Sequence, residues 1–323
     1  MRRSRAAGAS FSEVSPGARL AIVPRERPAF ALQLGAAAAA ALLGLPAAGC
    51  GDERSATHKD AGPGPAARAD PLPRPRAAIP RRPAPLARAI AGNTRALIAA
   101  IDAWRRAGAP GRPPREVMLR ALYHQRLHIL LSSRPRLTRR ALGRLPHPLA
   151  AEARDLVAAR RALARLAGPP QPLHHWRPGR PLSPRALMRS YRAAERRFGV
   201  SRRVLAAVNL VETGFNRLRN HSTSGARGPM QFIPSTWRAY GLGGDVDDPR
   251  DAIMGAANYL HASGAPADYG RALYAYNPSP LYVGAVLRYA RRMRRDFRSY
   301  YVLWGWQVFV RTPAGRLRRL TGP

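Results

Sequence analysis

Glu212 is the carboxylate whose surroundings best suit acid–base chemistry. It lies at the end of a predicted helix over residues 201–212, which Thr213 and Gly214 terminate, with Gly214 placed for a left-handed cap. The helix dipole disfavours an ionised carboxylate at this end, and burial beside apolar neighbours raises its pKa in the same sense. A carboxyl group that keeps its proton near neutral pH can act as a general acid. Taken locally, the pattern also fits a surface glutamate on an exposed helix end.

An acidic run, Asp245-Val246-Asp247-Asp248, is the second group of carboxylates in this part of the chain. It lacks the glycine and the terminal glutamate of a calcium-binding loop. Asp248, Pro249 and Asp251 instead predict the N-cap, first-turn proline and capping-box acid of a helix over residues 249–262. Calcium binding and a catalytic role remain alternatives for this run.

Two histidines, His124 and His128, are spaced four residues apart on a predicted helix. That spacing suits a shared metal ion, but no aspartate, glutamate or cysteine nearby completes a ligand set. We interpret both as ordinary histidines on the helix surface. We therefore predict no metal site and no cofactor.

Five motifs follow one another from Glu212 onwards, and together they are more specific than any one alone. They are Glu212-Thr213, the glycine-rich stretch from Gly225 to Trp237, Asp248 to Ile253, Tyr259-Leu260, and Ala275-Tyr276-Asn277. In order and spacing, this part of the chain, about residues 184–297, resembles the lysozyme-like peptidoglycan lytic transglycosylases. It departs at Ile233, where that family usually has methionine, and at Pro229, where a bulky apolar residue is common.

The resemblance implies a single-carboxylate mechanism. Glu212 would protonate the β-1,4 glycosidic oxygen between N-acetylmuramic acid and N-acetylglucosamine, and would then take a proton from the C6 hydroxyl to form a 1,6-anhydro product. Tyr276 would hold Glu212 through its hydroxyl. Alternatives are a hydrolytic muramidase that uses the same glutamate and a non-catalytic protein that binds the cell wall.

The resemblance also implies which residues contact the glycan strands of peptidoglycan. Ser224, Gln231 and Asn277 would bond acetamido and hydroxyl groups, and Met230 would pack against a sugar face. Ser224 as a turn former, Met230 as a core residue and Tyr276 as a buried tyrosine are the structural alternatives.

The elements that must position these residues are mainly helices. We expect a lysozyme-like helical catalytic domain, an N-terminal helical region and a small C-terminal β-hairpin, the last indicated by aromatic and β-branched residues followed by a turn. The expected division of the chain is a leader or anchor at 1–49, a linker rich in proline, alanine and arginine at 50–85, a helical region of unknown role at 86–175, the transglycosylase domain at 176–298, and the hairpin at 299–323.

An export signal is predicted before the linker. Residues 29–49 carry no charge and follow Arg25 and Arg27, and Ala47-Ala48-Gly49-Cys50 resembles a bacterial lipobox, which would make Cys50 the lipidated residue. An uncleaved membrane anchor and a plain cleaved signal are the alternatives. Each predicts an exported protein. With a lipidated Cys50 or an uncleaved anchor, we expect the protein to be membrane-anchored at the outer face of the cytoplasmic membrane or in the periplasm and cell wall.

The composition is strongly basic, with 55 Lys+Arg against 18 Asp+Glu and a net charge of +37. Such a charge implies contact with polyanions or an anionic surface. The arginines are spread along the chain without a nucleic-acid recognition motif, so we expect anions of the cell envelope as partners and no nucleic acid. The single cysteine excludes a disulfide scaffold and zinc sites built from several thiolates.

Replacing the only acylation site tests the anchor. Cys50→Ser should release the protein from the membrane fraction if a lipid on this cysteine holds it there. The measurement is the distribution of the protein between membrane and soluble fractions. Retention of the variant in membranes would favour a spanning helix.

Overall fold

The structure, a computed structural model, describes residues 71–322, so the predicted leader and Cys50 lie outside the described residues. Within this range the chain forms eleven α-helices and one antiparallel two-stranded hairpin, which confirms the predicted mainly α fold class. In the same range no helix is both long and apolar enough to cross a membrane. The helices are α1 (Pro83–Arg106), α2 (Arg115–Ser133), α3 (Pro135–Leu142), α4 (His147–Leu166), α5 (Pro184–Phe198), α6 (Arg202–Thr213), α7 (Pro234–Tyr240), α8 (Pro249–Ala262), α9 (Tyr269–Tyr276), α10 (Pro280–Arg295) and α11 (Arg298–Trp304), and the strands are β1 (Phe309–Arg311) and β2 (Leu317–Arg319).

Short-range capping fixes the helices that carry the site. The Ser201 hydroxyl accepts a hydrogen bond from the second residue of α6, and Gly214 ends that helix at a φ of 61°, in the left-handed region that glycine tolerates best. Asp248 caps α8 as predicted, since its carboxylate accepts from two backbone N–H groups. The capping-box role predicted for Asp251 is wrong, because its carboxylate accepts from the backbone of Asp245 at 2.9 Å and so stabilises the preceding loop.

The N-terminal helices share a core with the helices that follow. Buried residues of α4 belong to the same hydrophobic cluster as those of α5, α6, α8, α9 and α10. Ion pairs join α4 to α10, with Arg291 to Asp155 at 2.6 Å and Arg292 to Glu152 at 2.8 Å. The helical region of unknown role therefore supports α10 directly.

The C-terminal segment differs from its prediction. A hairpin was expected over residues 299–323, but the first part of that range is α11, and only β1 and β2 pair as strands. Leu303 and Trp304 follow Tyr300 by three and four residues, and all three are buried in the main core. Packing on this helical face outweighs the β propensity of the aromatic residues, which depends strongly on context. Helix α1 also begins at Pro83, inside the expected linker, and α3 was not predicted.

The histidine pair of α2 is buried, so the prediction of surface histidines is wrong. Each residue is 1% exposed, and the ring centroids lie 4.2 Å apart. The Trp306 indole donates to His124 Nδ1 at 3.3 Å, and His128 Nδ1 bonds the backbone carbonyl of His124 at 2.8 Å. The segment after α11 covers this face of α2, which the helical spacing of α2 alone does not reveal. Burial lowers the pKa of His128 to about 4, so it is neutral when folded.

This burial predicts acid sensitivity. Between pH 6.5 and about pH 4 the unfolded chain protonates His128 while the folded chain does not, so the free energy of unfolding should fall as the pH drops through this window, by about 3 kcal/mol from this residue. His128→Leu should remove that part of the slope in denaturant titrations. His147→Leu, at an exposed position, is the control. Equal slopes for wild type and His128→Leu would contradict the prediction.

Candidate active site

The carboxyl group of Glu212 is enclosed in the core at the last turn of α6. The residue is 2% exposed, and its Oε1 accepts a hydrogen bond from the Tyr282 hydroxyl at 2.6 Å. Its Oε2 is buried and has no hydrogen-bond partner among the described residues. Loss of hydration raises the pKa of Glu212 to about 8, and the bond from Tyr282 opposes this rise only in part. Glu212 is therefore protonated at neutral pH, as a general acid requires.

A second tyrosine, Tyr276, lies beside this pair but does not hold the carboxyl group. Its hydroxyl donates to the backbone carbonyl of Met230 at 2.5 Å, so the predicted bond from Tyr276 to Glu212 is wrong. Tyr282 makes that bond because α10 packs on α6 and presents its first turn to Glu212. The two tyrosine rings are parallel within 5°, with centroids 6.5 Å apart. Burial, and then the charge of Glu212, raise the pKa of Tyr276.

The glycine-rich loop is attached to the end of α6 by side chains. The Thr213 hydroxyl and the Asn209 amide both donate to the carbonyl of Pro229 at 2.8 Å. The Tyr191 hydroxyl donates to Asn209 Oδ1 at 2.6 Å, which orients the Asn209 amide. Sequence reasoning missed Tyr191, Asn209 and Tyr282. Asn209 carried a signal, since it is a polar residue among the apolar residues of α6, whereas Tyr282 lies beyond the last motif.

Met230 and Gln231 follow Pro229 directly in the glycine-rich loop. The Met230 side chain is fully buried in the main core, so the predicted packing on a sugar face is wrong for this conformation. Gln231 is half-buried at a φ of 51°, and its amide donates to the carbonyls of Gly228 at 3.0 Å and Asn220 at 3.2 Å. Both residues therefore shape the loop.

The other two predicted sugar ligands are Ser224 and Asn277. Ser224 is half-buried in the loop after α6. Asn277 follows Tyr276 directly, is 3% exposed, and its Oδ1 is buried without a hydrogen-bond partner among residues 71–322. A buried acceptor of this kind has hydrogen-bonding capacity to spare. Contact of either residue with a sugar stays a prediction.

Two other carboxylates in this part of the chain serve as a backbone acceptor and an ion-pair partner. Asp245 accepts from the backbone of Asp247 at 2.9 Å, and Glu195 pairs with Arg202 at 2.5 Å. In the part of the chain that the structure describes, no three histidine, cysteine, aspartate or glutamate side chains are grouped to hold a metal ion. Among these residues, Glu212 is the acid whose surroundings fit proton transfer.

Comparison with known protein families bears on this cluster. Residues 189–296 match the family model of the Transglycosylase SLT domain. The matched segment contains Glu212, the glycine-rich loop, Tyr276 and Tyr282, and it confirms the resemblance to lysozyme-like lytic transglycosylases. An SLT domain supports lytic transglycosylase activity on cell-wall peptidoglycan in general. Searches of curated proteins and of solved structures gave no match.

The buried proton of Glu212 predicts a pH-dependent cost. Because the folded pKa of about 8 is above the usual 4.5, the folded chain keeps a proton that the unfolded chain loses, and stability from this group falls as the pH rises from 4.5 to 8. Glutamine carries no such proton. The free energy of unfolding of Glu212→Gln, relative to that of wild type, should therefore rise by about 4 kcal/mol from pH 5 to pH 8.

Urea unfolding at pH 5, 6.5 and 8 measures this difference. Glu195→Gln is the matched control, since it neutralises a partly exposed glutamate that is paired with Arg202. If the two variants showed the same pH dependence relative to wild type, the raised pKa of Glu212 would be contradicted.

Proposed function

We propose that this protein cleaves the β-1,4 bond between N-acetylmuramic acid and N-acetylglucosamine in peptidoglycan and releases 1,6-anhydromuramyl products. The observation that carries the proposal is the buried, protonated Glu212 inside a segment that matches the SLT domain. A mechanism with one carboxylate agrees with the surroundings of this residue, because the neighbouring glutamate in sequence, Glu195, is engaged with Arg202. Ordinary glycosidases use two carboxyl groups.

The reaction has two proton transfers through the same carboxyl group. Glu212 first gives its proton to the glycosidic oxygen as the bond from that oxygen to C1 of the muramyl residue breaks, and the acetamido group of the substrate stabilises the positive charge at C1. The resulting carboxylate then removes the proton from the C6 hydroxyl, whose oxygen bonds to C1. Glu212 is thereby protonated again, and no water is consumed.

Hydrogen bonding to Tyr282 assigns separate roles to the two carboxyl oxygens. Oε1 accepts from the Tyr282 hydroxyl, so the proton of the neutral acid resides on Oε2, which has no partner among residues 71–322. Oε2 is therefore the atom that delivers and recovers the proton. Tyr282 also stabilises the carboxylate between the two transfers, because hydrogen bonds to ionised groups are stronger than those to neutral groups.

The remaining site residues act around this carboxyl group. Tyr276 is a positioning residue that holds the Met230 carbonyl and with it the loop. Ser224, Gln231 and Asn277 contribute polar groups for sugar hydroxyl and acetamido groups. Export, and anchoring through Cys50, would bring the site to the wall, where the basic surface meets envelope anions.

Replacing Glu212 with glutamine tests the chemistry directly. Glu212→Gln keeps the shape and the acceptor for Tyr282 but removes the transferable proton, so turnover of peptidoglycan should fall by about 10²–10⁴-fold. In the wild type, turnover should decline as the pH rises through about 8, where Glu212 loses its proton. Mass spectrometry of the released muropeptides and turnover rates between pH 5 and 9 are the measurements.

Two conservative variants separate the roles of the tyrosines. Tyr282→Phe removes the bond that favours the carboxylate, so the alkaline limb of the rate should move to higher pH, whereas Tyr276→Phe should leave the limb in place.

Reducing muropeptides, heavier by one water, would identify a hydrolytic muramidase. Wild-type turnover by Glu212→Gln would refute the assignment, and sacculus binding without any cleavage by the wild type would indicate a wall-binding protein.

A further inference from the structure

Five arginines on and beside α3 form a basic patch that the proposed reaction does not use. No aspartate or glutamate occurs between Glu116 and Glu152, so the segment that contains the patch has no acid of its own. The patch arginines fall within eleven consecutive positions, and all are exposed. The members of this α3 patch are Arg134, Arg136, Arg139, Arg140 and Arg144.

Acids on the helices that pack against α3 do not balance the patch either. Helix α3 contacts α1, α2 and α4. Among residues 71–322, no arginine of the patch forms an ion pair. The four acids of α1, α2 and α4 each pair with an arginine outside the patch, namely Asp102 with Arg298, Glu116 with Arg120, Glu152 with Arg292 and Asp155 with Arg291.

Helix α3 is held by a hydrophobic cluster that is distinct from the core around the acid. This α3 cluster includes Leu86 of α1, Leu131 of α2, Ala141 of α3 and Val157 of α4. A different face of α4 contributes Leu156 to the main core. Helix α3 also lies outside the segment that matches the SLT domain. The patch therefore belongs to the surface of the N-terminal helices, and a glycan strand bound at the acid does not account for it.

The segment that leads into α1 lies against the same cluster. Ile79 packs on the α3 cluster, and Arg126 of α2 holds the segment by donating to the carbonyl of Ala77 at 2.7 Å. The predicted lipidation site, Cys50, precedes Ile79 by 29 residues, which span at most about 100 Å when fully extended. A lipid on Cys50 would therefore tether the molecule by the end that carries the α3 patch.

The side chains of α3 favour contact with charged headgroups over insertion into lipid. A guanidinium group binds phosphate oxygens through paired N–H groups, and arginines close to an anionic membrane are attracted to it together. The buried residues of α3 are Thr138, Ala141 and Leu142, and Leu137 also packs against the α3 cluster. The apolar side of this helix is thus already used, and its exposed side is cationic.

We propose that the α3 patch binds the phosphate headgroups of an anionic membrane and so sets the orientation of the protein on that membrane. A tether at Cys50 would strengthen this contact, because it keeps the patch at a high local concentration near the headgroups. The proposal concerns attachment to the membrane, and it does not depend on the reaction at Glu212.

Co-sedimentation with lipid vesicles tests the proposal. The full-length chain carries Cys50→Ser, so no lipid is attached, and the vesicles contain equal amounts of phosphatidylglycerol and phosphatidylcholine or phosphatidylcholine alone. The chain should prefer the anionic vesicles, and added salt should abolish this preference by screening. Arg136→Ala/Arg139→Ala/Arg140→Ala should lower the partition onto anionic vesicles at least about tenfold, since each arginine near such a surface contributes about fivefold. Arg136→Lys/Arg139→Lys/Arg140→Lys keeps the charge and should retain the binding.

A second triple variant separates the patch from the attraction of the whole basic chain. Arg189→Ala/Arg192→Ala/Arg196→Ala removes the same charge from exposed positions of α5. This control should bind anionic vesicles nearly as well as the unsubstituted α3 patch does.

A fluorescent label reports which surface meets the membrane. Gly143 is exposed next to the patch, and an added Cβ there meets no atom closer than 3.4 Å. In the chain with Cys50→Ser, a fluorophore on Gly143→Cys should be quenched by brominated lipid in anionic vesicles. The same fluorophore on Ala239→Cys, at an exposed position of α7, should not be quenched.

Four results would each overturn the proposal. The first is equal binding to anionic and neutral vesicles, and the second is an equal loss in the α3 and α5 alanine variants, which would indicate diffuse attraction of the whole chain. The third is a label on Gly143→Cys that brominated lipid does not quench. The fourth is intact vesicle binding by the α3 variant together with loss of binding to sacculi that carry anionic polymers, which would make the wall the partner. A chain that cleaves no glycan would refute the proposed function and leave these results unaffected.

Discussion

The burial of one carboxyl group, held by one tyrosine hydroxyl, is the constraint on which the rest of the site depends. Water is excluded from Glu212, so the group keeps its proton at neutral pH. The 2.6 Å bond from Tyr282 fixes Oε1 and leaves Oε2 as the oxygen that would transfer the proton in the proposed reaction. The proposed catalysis requires the rest of the fold to tolerate a buried acid that costs stability as the pH rises.

The helix that carries Tyr282 is held from both sides. On one side α10 packs on α6, which carries Glu212, and on the other it packs on α4, to which Arg291 and Arg292 are joined by ion pairs. The N-terminal helices thus support α10 and with it Tyr282. A hydrogen bond that positions a proton requires this kind of support, since small displacements of a catalytic group reduce the rate strongly.

The glycine-rich loop is positioned by backbone carbonyls rather than by its own side chains alone. The carbonyl of Pro229 accepts from two side chains of α6, and the carbonyl of Met230 accepts from Tyr276. The loop therefore moves with the acid.

The sequence by itself determined the local features of this protein. Prolines, capping side chains and Gly214 set the bounds of α5, α6 and α8 within about a residue, because these signals act over one turn of helix. The order of motifs predicted Glu212 as the acid, and the SLT match confirmed the family resemblance.

Tertiary structure decided the rest, because burial and long-range pairing have no local signal. Tyr282 reaches Glu212 across 70 positions, and Trp306 covers the histidines of α2 across 182. Packing made Met230 a core residue and turned an aromatic stretch into α11. Each of these outcomes depends on which faces meet in the core, and residue type and spacing along one segment do not contain that information.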